Sequence, residues 1–246
     1  MYDLATFKMS DMIECGSNLR GLGTEAQSME AAADRIVHYL YEHLLEQERG
    51  QRACALIRFY KTHSYSGLDE ELQTFARALD DGIALNPQTK CLTLLATAGE
   101  LPAWNSRKTS LGHKAIPLPS VEVVSQAPMI SQLIIQFGLQ MNDVIKPVPA
   151  LMLELGQQTF NVFYVQEAMG SPFVPAQETF VVPHGIKSVL GFGGLLPDGN
   201  LFAVIMFSKV HVPREKADMF KTLSLSAKIA VLPFAEGAVF EKRLSA

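Results

Sequence analysis

The stretch GIKSVLGFGGLLPDGNLFAVIMFS, residues 185–208, decides the fold. Its first half is apolar and partly alternating, and Pro197, Asp198, Gly199 and Asn200 then supply the residues that favour a tight turn. Residues 201–207 follow as an almost unbroken apolar run, which is typical of a strand buried on both faces. The stretch therefore predicts a β-hairpin in the middle of a sheet.

The rest of the chain divides into predicted strands and helices. Short apolar runs rich in β-branched and aromatic residues predict strands, and apolar residues at helical spacing predict helices. The predicted strands are 53–60 (ACALIRFY, with Arg58 as its only charge), 91–98 and 160–165. The predicted helices run from Thr24 to about Gly50, over 68–79, from Pro128 onward and from Pro213 onward.

Two stretches are harder to interpret. In residues 1–23 the glycines Gly16, Gly21 and Gly23 interrupt an apolar helical pattern, so we expect a short helix followed by a loop. The run LMLEL at 151–155 fits a helix and a strand equally. The predicted organisation is an N-terminal helical extension (1–23), one domain (24–235) and a C-terminal tail (236–246).

Composition excludes several classes of function. The 246 residues are 48% hydrophobic and 19% charged, with a formal net charge of −4, which gives no basic surface for nucleic acid. No apolar run approaches the roughly 20 residues of a membrane span. The N-terminus lacks the pattern of a secretory signal, and three widely spaced cysteines fit a reducing compartment. We therefore expect a cytoplasmic protein that binds neither nucleic acid nor membrane.

Four stretches, taken in order, resemble the GAF family of sensory domains. They are SMEAAADRIVHYLYEHLL (28–45), CLTLLATAGELPAW (91–104), HGIKSVLGFGGLLPDGNLFAVIMFSK (184–209) and VPREKADMFKTLSLSAKIAVLPF (212–234). The resemblance implies an α+β, GAF/PAS-like fold. A central antiparallel sheet would carry the N- and C-terminal helices on one face and a ligand pocket under loops and helices on the other. It also implies ligand sensing in bacterial signal transduction and a homodimer formed through the terminal helices.

A mostly apolar pocket with a few polar anchors is the candidate site. Aromatic and histidine side chains at strand ends and in adjoining loops are the candidate ligand-binding residues: Tyr60, His63, Tyr65, Trp104, Phe163, Tyr164, Phe173 and His184. Packing is the more common role for each of them alone. Lys61 and Lys187 are possible partners of an anionic ligand, against the expectation that lysines lie at the surface.

Cofactor and enzyme chemistry has less support in the sequence. Haem would need an axial histidine, for which His63, His113 and His184 are the candidates. Bilin attachment or sulfoxide reduction would need a reactive cysteine, but Cys54 and Cys91 lie inside predicted apolar strands. The segment GFGG lacks the serine of a hydrolase nucleophile elbow.

The sequence therefore predicts a non-enzymatic, small-molecule-sensing domain that passes ligand binding on through its terminal helices, with a signalling protein as a possible partner. Two alternatives remain open: a protein–protein interaction module with a vestigial pocket, and a cysteine-based redox enzyme. Specificity is expected to lie in residues 105–184, ahead of the hairpin.

Overall fold

The computed structural model describes residues 1–46, 48–79, 85–147 and 161–241 of the chain. The strands are β1 (Tyr2–Asp3), β2 (Leu44–Glu46), β3 (Gln51–Arg52), β4 (Cys54–Ser64), β5 (Lys90–Gly99), β6 (Ala115–Leu118), β7 (Phe163–Val165), β8 (Ser188–Leu195) and β9 (Leu201–Ser208). The helices are α1 (Met9–Gly21), α2 (Met29–His43), α3 (Glu70–Ala78), α4 (Val121–Ser125), α5 (Pro128–Gln136), α6 (Met141–Ile145), α7 (Arg214–Ala217) and α8 (Phe220–Val231).

An antiparallel sheet of six strands, in the order β6-β5-β4-β9-β8-β7, forms the centre of the fold. The hairpin predicted from residues 185–208 is confirmed as β8 and β9, and both strands have a neighbour on each side. Every residue of β8 and β9 is buried, as the apolar runs predicted. The α+β fold class is also confirmed.

The first face of the sheet carries the terminal helices. Helix α2 packs on β4 and β5, α8 packs on β8, and α1 packs on α8. Apolar side chains from these elements form one core with the first face of the sheet, in which Phe59 and Phe202 stack with ring centroids 5.7 Å apart. We call this the first core.

Helix α1 is longer than the glycine pattern predicted, because it continues through Gly16 to Gly21. A Cβ atom on Gly16 would lie 3.0 Å from Ser226 Oγ of α8, and one on Gly23 would lie 2.0 Å from the carbonyl oxygen of Ala230. These two glycines permit the close packing of the N-terminal segment on α8. The glycines at 16 and 23 therefore serve helix packing, which sequence periodicity does not reveal.

Helix α2 is shorter than predicted at both ends. Ser28 is its N-cap and accepts a hydrogen bond from the Ala31 amide at 3.0 Å, so the predicted start at Thr24 is wrong. After His43 the backbone turns extended, and β2 pairs with β1 and β3. Gly50 does adopt a positive φ of 62°, but it does so between β2 and β3 and not at the end of a helix.

The second face of the sheet is covered by α4, α5 and α6 and by the segment that leads into β8. Their apolar side chains form a second core with residues of β4, β5, β8 and β9. Strand β6 was not predicted; its Pro117 is tolerated because β6 lies at the edge of the sheet. The run 151–155 and residue Phe160 lie outside the described residues.

Candidate functional site

A buried cation, Arg58 of β4, lies on the second face of the sheet. Its side chain is only 7% exposed. Its Nη1 donates to the Tyr60 hydroxyl at 3.1 Å, and its Nη2 donates to the Ser110 hydroxyl, also at 3.1 Å. Ser110 has no exposed surface. The guanidinium is thus held in place by two hydroxyl groups inside a mainly apolar layer.

Two buried polar atoms on this face have no hydrogen-bond partner among the residues that the structure describes: Arg58 Nε and Thr97 Oγ1. Arg58 and Thr97 lie directly opposite each other on β4 and β5, so their side chains point to the same face. Buried polar groups are nearly always satisfied, and an unsatisfied group costs about 1–3 kcal/mol. Two such groups lie side by side on this part of the sheet, which makes it the candidate site.

The loop of residues 105–114 borders the polar group. It contributes Ser110, and it also contributes His113, which has a φ of 55°, a left-handed conformation that is uncommon outside glycine. Burial and the nearby charge of Arg58 lower the pKa of His113. The imidazole is therefore neutral near pH 7 and adds no second positive charge.

The described residues include four arginines or lysines that are less than a tenth exposed as whole residues. Three of them pair with a carboxylate: Lys61 with Asp198 at 3.2 Å, Arg107 with Glu30 at 2.8 Å, and Lys114 with Glu71 at 2.9 Å. Within the described ranges Arg58 has no such partner. A buried charge without an opposite charge is costly. Arg58 differs from the other three residues in lacking that opposite charge, which an anionic ligand could supply.

Five of the predicted site residues belong to the second face. Tyr60 and Phe163 lie in the second core, and Trp104 and Phe173 pack against it. Trp104 and His184 were predicted from distant parts of the sequence, and the fold brings their rings to 4.7 Å between centroids. Their roles in ligand binding remain predictions.

The other three predicted residues lie elsewhere. His63 contacts Phe240 edge to face at 5.3 Å. The Tyr65 hydroxyl accepts a hydrogen bond from Arg77 at 2.6 Å, and Tyr164 packs against the first core, where its hydroxyl donates to the Val212 carbonyl. The fold therefore does not bring these three residues to Arg58.

The lysine expectations are corrected in part. Lys61 is not at the surface, since it is 1% exposed and pairs with Asp198. Burial lowers the pKa of Lys61, whereas the Asp198 carboxylate opposes this effect. Lys187 is exposed.

The histidines proposed for haem lie in different environments. Burial lowers the pKa of His63 to about 4, so this imidazole is neutral at physiological pH. His184 lies 3.5 Å from a carboxylate oxygen of Glu100, and its ring contacts Trp104 at an interplanar angle of 56°. Across the described ranges, no three histidine, cysteine, aspartate or glutamate side chains are arranged to hold a metal ion. No helix in those ranges has the length and apolarity to span a membrane.

All three cysteines, Cys15, Cys54 and Cys91, are free thiols with no exposed surface. Burial raises the pKa of each thiol to about 12. A reactive cysteine needs the opposite, an accessible thiol with a lowered pKa. The three thiols therefore lack the environment that redox catalysis requires.

Thiol labelling tests this environment. At about pH 8 a thiol with so high a pKa is only about 0.01% thiolate, so we expect Ellman's reagent to label none of the three cysteines in native protein within an hour. In guanidinium chloride all three should react within minutes. Rapid release of one equivalent of thionitrobenzoate from native protein would show that one thiol is accessible and activated.

Arg58 was missed as a site residue, although the sequence contains a signal for it. It is the only charged residue in the predicted strand ACALIRFY. A lone arginine in an otherwise apolar buried strand is expensive unless something balances its charge. Ser110 and Thr97 gave no signal of their own, because only the folded chain brings them to this face.

No model of a known protein family matches the chain, and no curated protein matches it. Solved structures with a similar layout include the free methionine-R-sulfoxide reductase from Neisseria meningitidis in complex with its substrate. It is 14% identical, with a TM-score of 0.46, and the match covers 95% of this chain and 94% of that one.

Two other solved structures are more distant. An N-acylhomoserine lactone-dependent LuxR-family transcription factor from Burkholderia cenocepacia is 11% identical, with a TM-score of 0.38, and the match covers 92% of this chain and 98% of that one. A bacteriophytochrome from R. palustris is 8% identical, with a TM-score of 0.38, and the match covers 92% of this chain and 38% of that one. At these identities and TM-scores no function carries over to this chain.

Proposed function

We propose that this chain is a GAF-like, non-enzymatic domain that senses a small molecule bound against the second face of its sheet. The observation that supports this proposal is the pair of unpartnered, buried polar atoms, Arg58 Nε and Thr97 Oγ1, in an otherwise apolar layer. A mostly apolar site with a few placed polar groups is the usual composition of a small-molecule pocket.

Ligand binding would act by a population shift. A ligand that contacts Arg58 and the described parts of the covering segment, 105–147 and 161–175, favours the arrangement of those parts to which it binds best. The terminal helices on the first face would carry this change to a signalling partner, and a homodimer formed through those helices remains our prediction. The expected location is the cytoplasm.

The alternatives have weaker support. An interaction module with a vestigial pocket would gain nothing from keeping an unpaired arginine in its interior, because an apolar replacement costs less. A cysteine-based redox enzyme conflicts with three buried thiols whose pKa is raised.

Two matched substitutions on β5 test for a ligand on the second face. Thr97→Val removes an unpartnered hydroxyl on that face, so we expect an unchanged or slightly higher free energy of unfolding and weaker ligand binding. Thr93→Val removes a hydroxyl that bonds the Cys91 carbonyl at 3.1 Å, so we expect a loss of about 1 kcal/mol and unchanged binding. The free energy of unfolding is measured by urea denaturation.

Binding is measured by native mass spectrometry of the purified chain after incubation with the small-molecule extract of its expression host. The proposal expects a bound mass on the wild type and on Thr93→Val, and less of it on Thr97→Val. If no small molecule is retained by any of the three proteins and the extract leaves their melting temperatures unchanged, the sensing proposal is wrong.

A further inference from the structure

In the polar group around Arg58, four hydrogen-bond donors have no acceptor among the described residues. The Tyr60 and Ser110 hydroxyls each accept from Arg58, and a hydroxyl that accepts still has its own hydrogen to donate. Among the described residues neither hydroxyl donates to another group. Arg58 Nε and the Thr97 hydroxyl add two further unused donors. A molecule that brings acceptors would therefore engage all four donors.

The geometry of a completed arginine is present elsewhere in the same chain. Arg107 makes a bidentate contact with the Glu30 carboxylate, in which Nε lies 2.8 Å from one oxygen and Nη2 lies 3.2 Å from the other. This two-point contact is the usual strong pairing of arginine with a carboxylate. In Arg58, the Nε atom on the same edge of the guanidinium has no hydrogen-bond partner among the described residues, and Nη2 donates to the Ser110 hydroxyl.

We propose that the second face binds a small organic monoanion whose carboxylate pairs with Arg58 and whose remaining atoms are apolar. The proposal rests on the sensing function proposed above and names the class of ligand for it. Two carboxylate oxygens offer about four acceptor positions, which suits the donors of Arg58, Tyr60, Ser110 and Thr97.

The surroundings favour a monoanion over a phosphate dianion. Arg58 is one unbalanced charge, and a dianion would leave one negative charge buried without a partner, which is costly. In the sheet, Arg58 lies opposite Ile205, and its neighbours on this face include Leu56 and Ala203, all buried in the second core. These neighbours suit a hydrocarbon body next to the carboxylate.

The test compares acids with their uncharged amides on the full-length wild-type chain. The probes are hexanoate and phenylacetate, the matched hexanamide and phenylacetamide, and inorganic phosphate, each titrated by isothermal calorimetry at neutral pH. We expect the acids to bind about 10- to 100-fold more tightly than the amides, because a charged hydrogen-bonded pair is lost in the amide. Phosphate should not bind.

Variants assign the effect to Arg58. Arg58→Met should lower the affinity for the acids to that for the amides, while Arg52→Met, a change to an exposed arginine of β3, should leave it unaltered. The comparison of acid with amide needs only the wild type, so it holds even where Arg58→Met does not fold.

Four results overturn the inference. Amides that bind as well as acids would show that charge is not recognised, while the sensing proposal would stand. Phosphate binding without acid binding would show a different anion class. If no probe binds, the wild-type protein is denatured and any small molecule that it releases is identified. A released molecule without a carboxylate would overturn only the proposed ligand class. If nothing is released, both proposals are wrong.

Discussion

Arg107→Met should lower the free energy of unfolding by about 3–5 kcal/mol, whereas Arg58→Met should leave it unchanged or raise it by about 1–2 kcal/mol. Both residues are buried arginines with the same exposed fraction of 7%. They differ in their partners, since Arg107 pairs with Glu30 and lies 3.6 Å from a carboxylate oxygen of Asp69. Removing Arg107 leaves Glu30 buried without its cation, whereas removing Arg58 takes away an unpaired charge.

Equilibrium unfolding in urea at neutral pH, with linear extrapolation to water, measures both effects. The two substitutions are chemically identical, so each is the control for the other. Equal destabilisation by both would mean that Arg58 is already balanced within the chain, and the case for an anionic ligand would fail. For the Arg58→Met comparison, both the variant and the wild type must first be freed of small molecules by denaturation and refolding. A bound ligand would otherwise stabilise the wild type and make the variant appear less stable.

Gly193→Ala should lower the free energy of unfolding by about 3 kcal/mol. A Cβ atom at this position of β8 would lie 2.1 Å from the Phe202 carbonyl oxygen and 2.9 Å from the Ala203 Cα of β9. Both contacts are with backbone, so the two strands of the central hairpin must move apart. A loss of this size corresponds to about 6–12 °C in melting temperature for a chain of this length.

Gly21→Ala is the matched control for this prediction. Gly21 is the last residue of α1, and a Cβ atom there meets nothing within 4 Å. We expect its free energy of unfolding to rise by up to about 1 kcal/mol, because alanine loses less chain entropy than glycine in a helix. Thermal unfolding of Gly193→Ala at the wild-type temperature would contradict the strand contact described here.

Local sequence patterns predicted the central sheet well but the helix boundaries less well. The hairpin was predictable because its apolar runs and its turn residues lie within 24 consecutive positions. The course of α1 was not, because Gly16 is explained by Ser226, which is 210 positions away in the chain. The end of α2 was missed for a similar reason, since β2 exists through pairing with β1 at the N-terminus.

The site was predictable only in part. Trp104 and Phe163, two of the aromatic residues predicted from strand ends, pack in or against the second core. The same reasoning included Tyr164, which faces the first core, because a strand alternates its side chains between faces. Arg58 was visible as a lone charge, but its lack of a carboxylate depends on the packing of the whole sheet.

The loop of residues 105–114 touches both layers of the protein. Its Ser110 bonds Arg58 on the second face, and its Arg107 bonds Glu30 at the start of α2. Glu30 in turn accepts from the Glu241 amide, and its own amide donates to the Val239 carbonyl. Three peptide bonds therefore separate the residue that bonds Arg58 from the residue that bonds Glu30, and Glu30 also holds residues 239 and 241 against the start of α2.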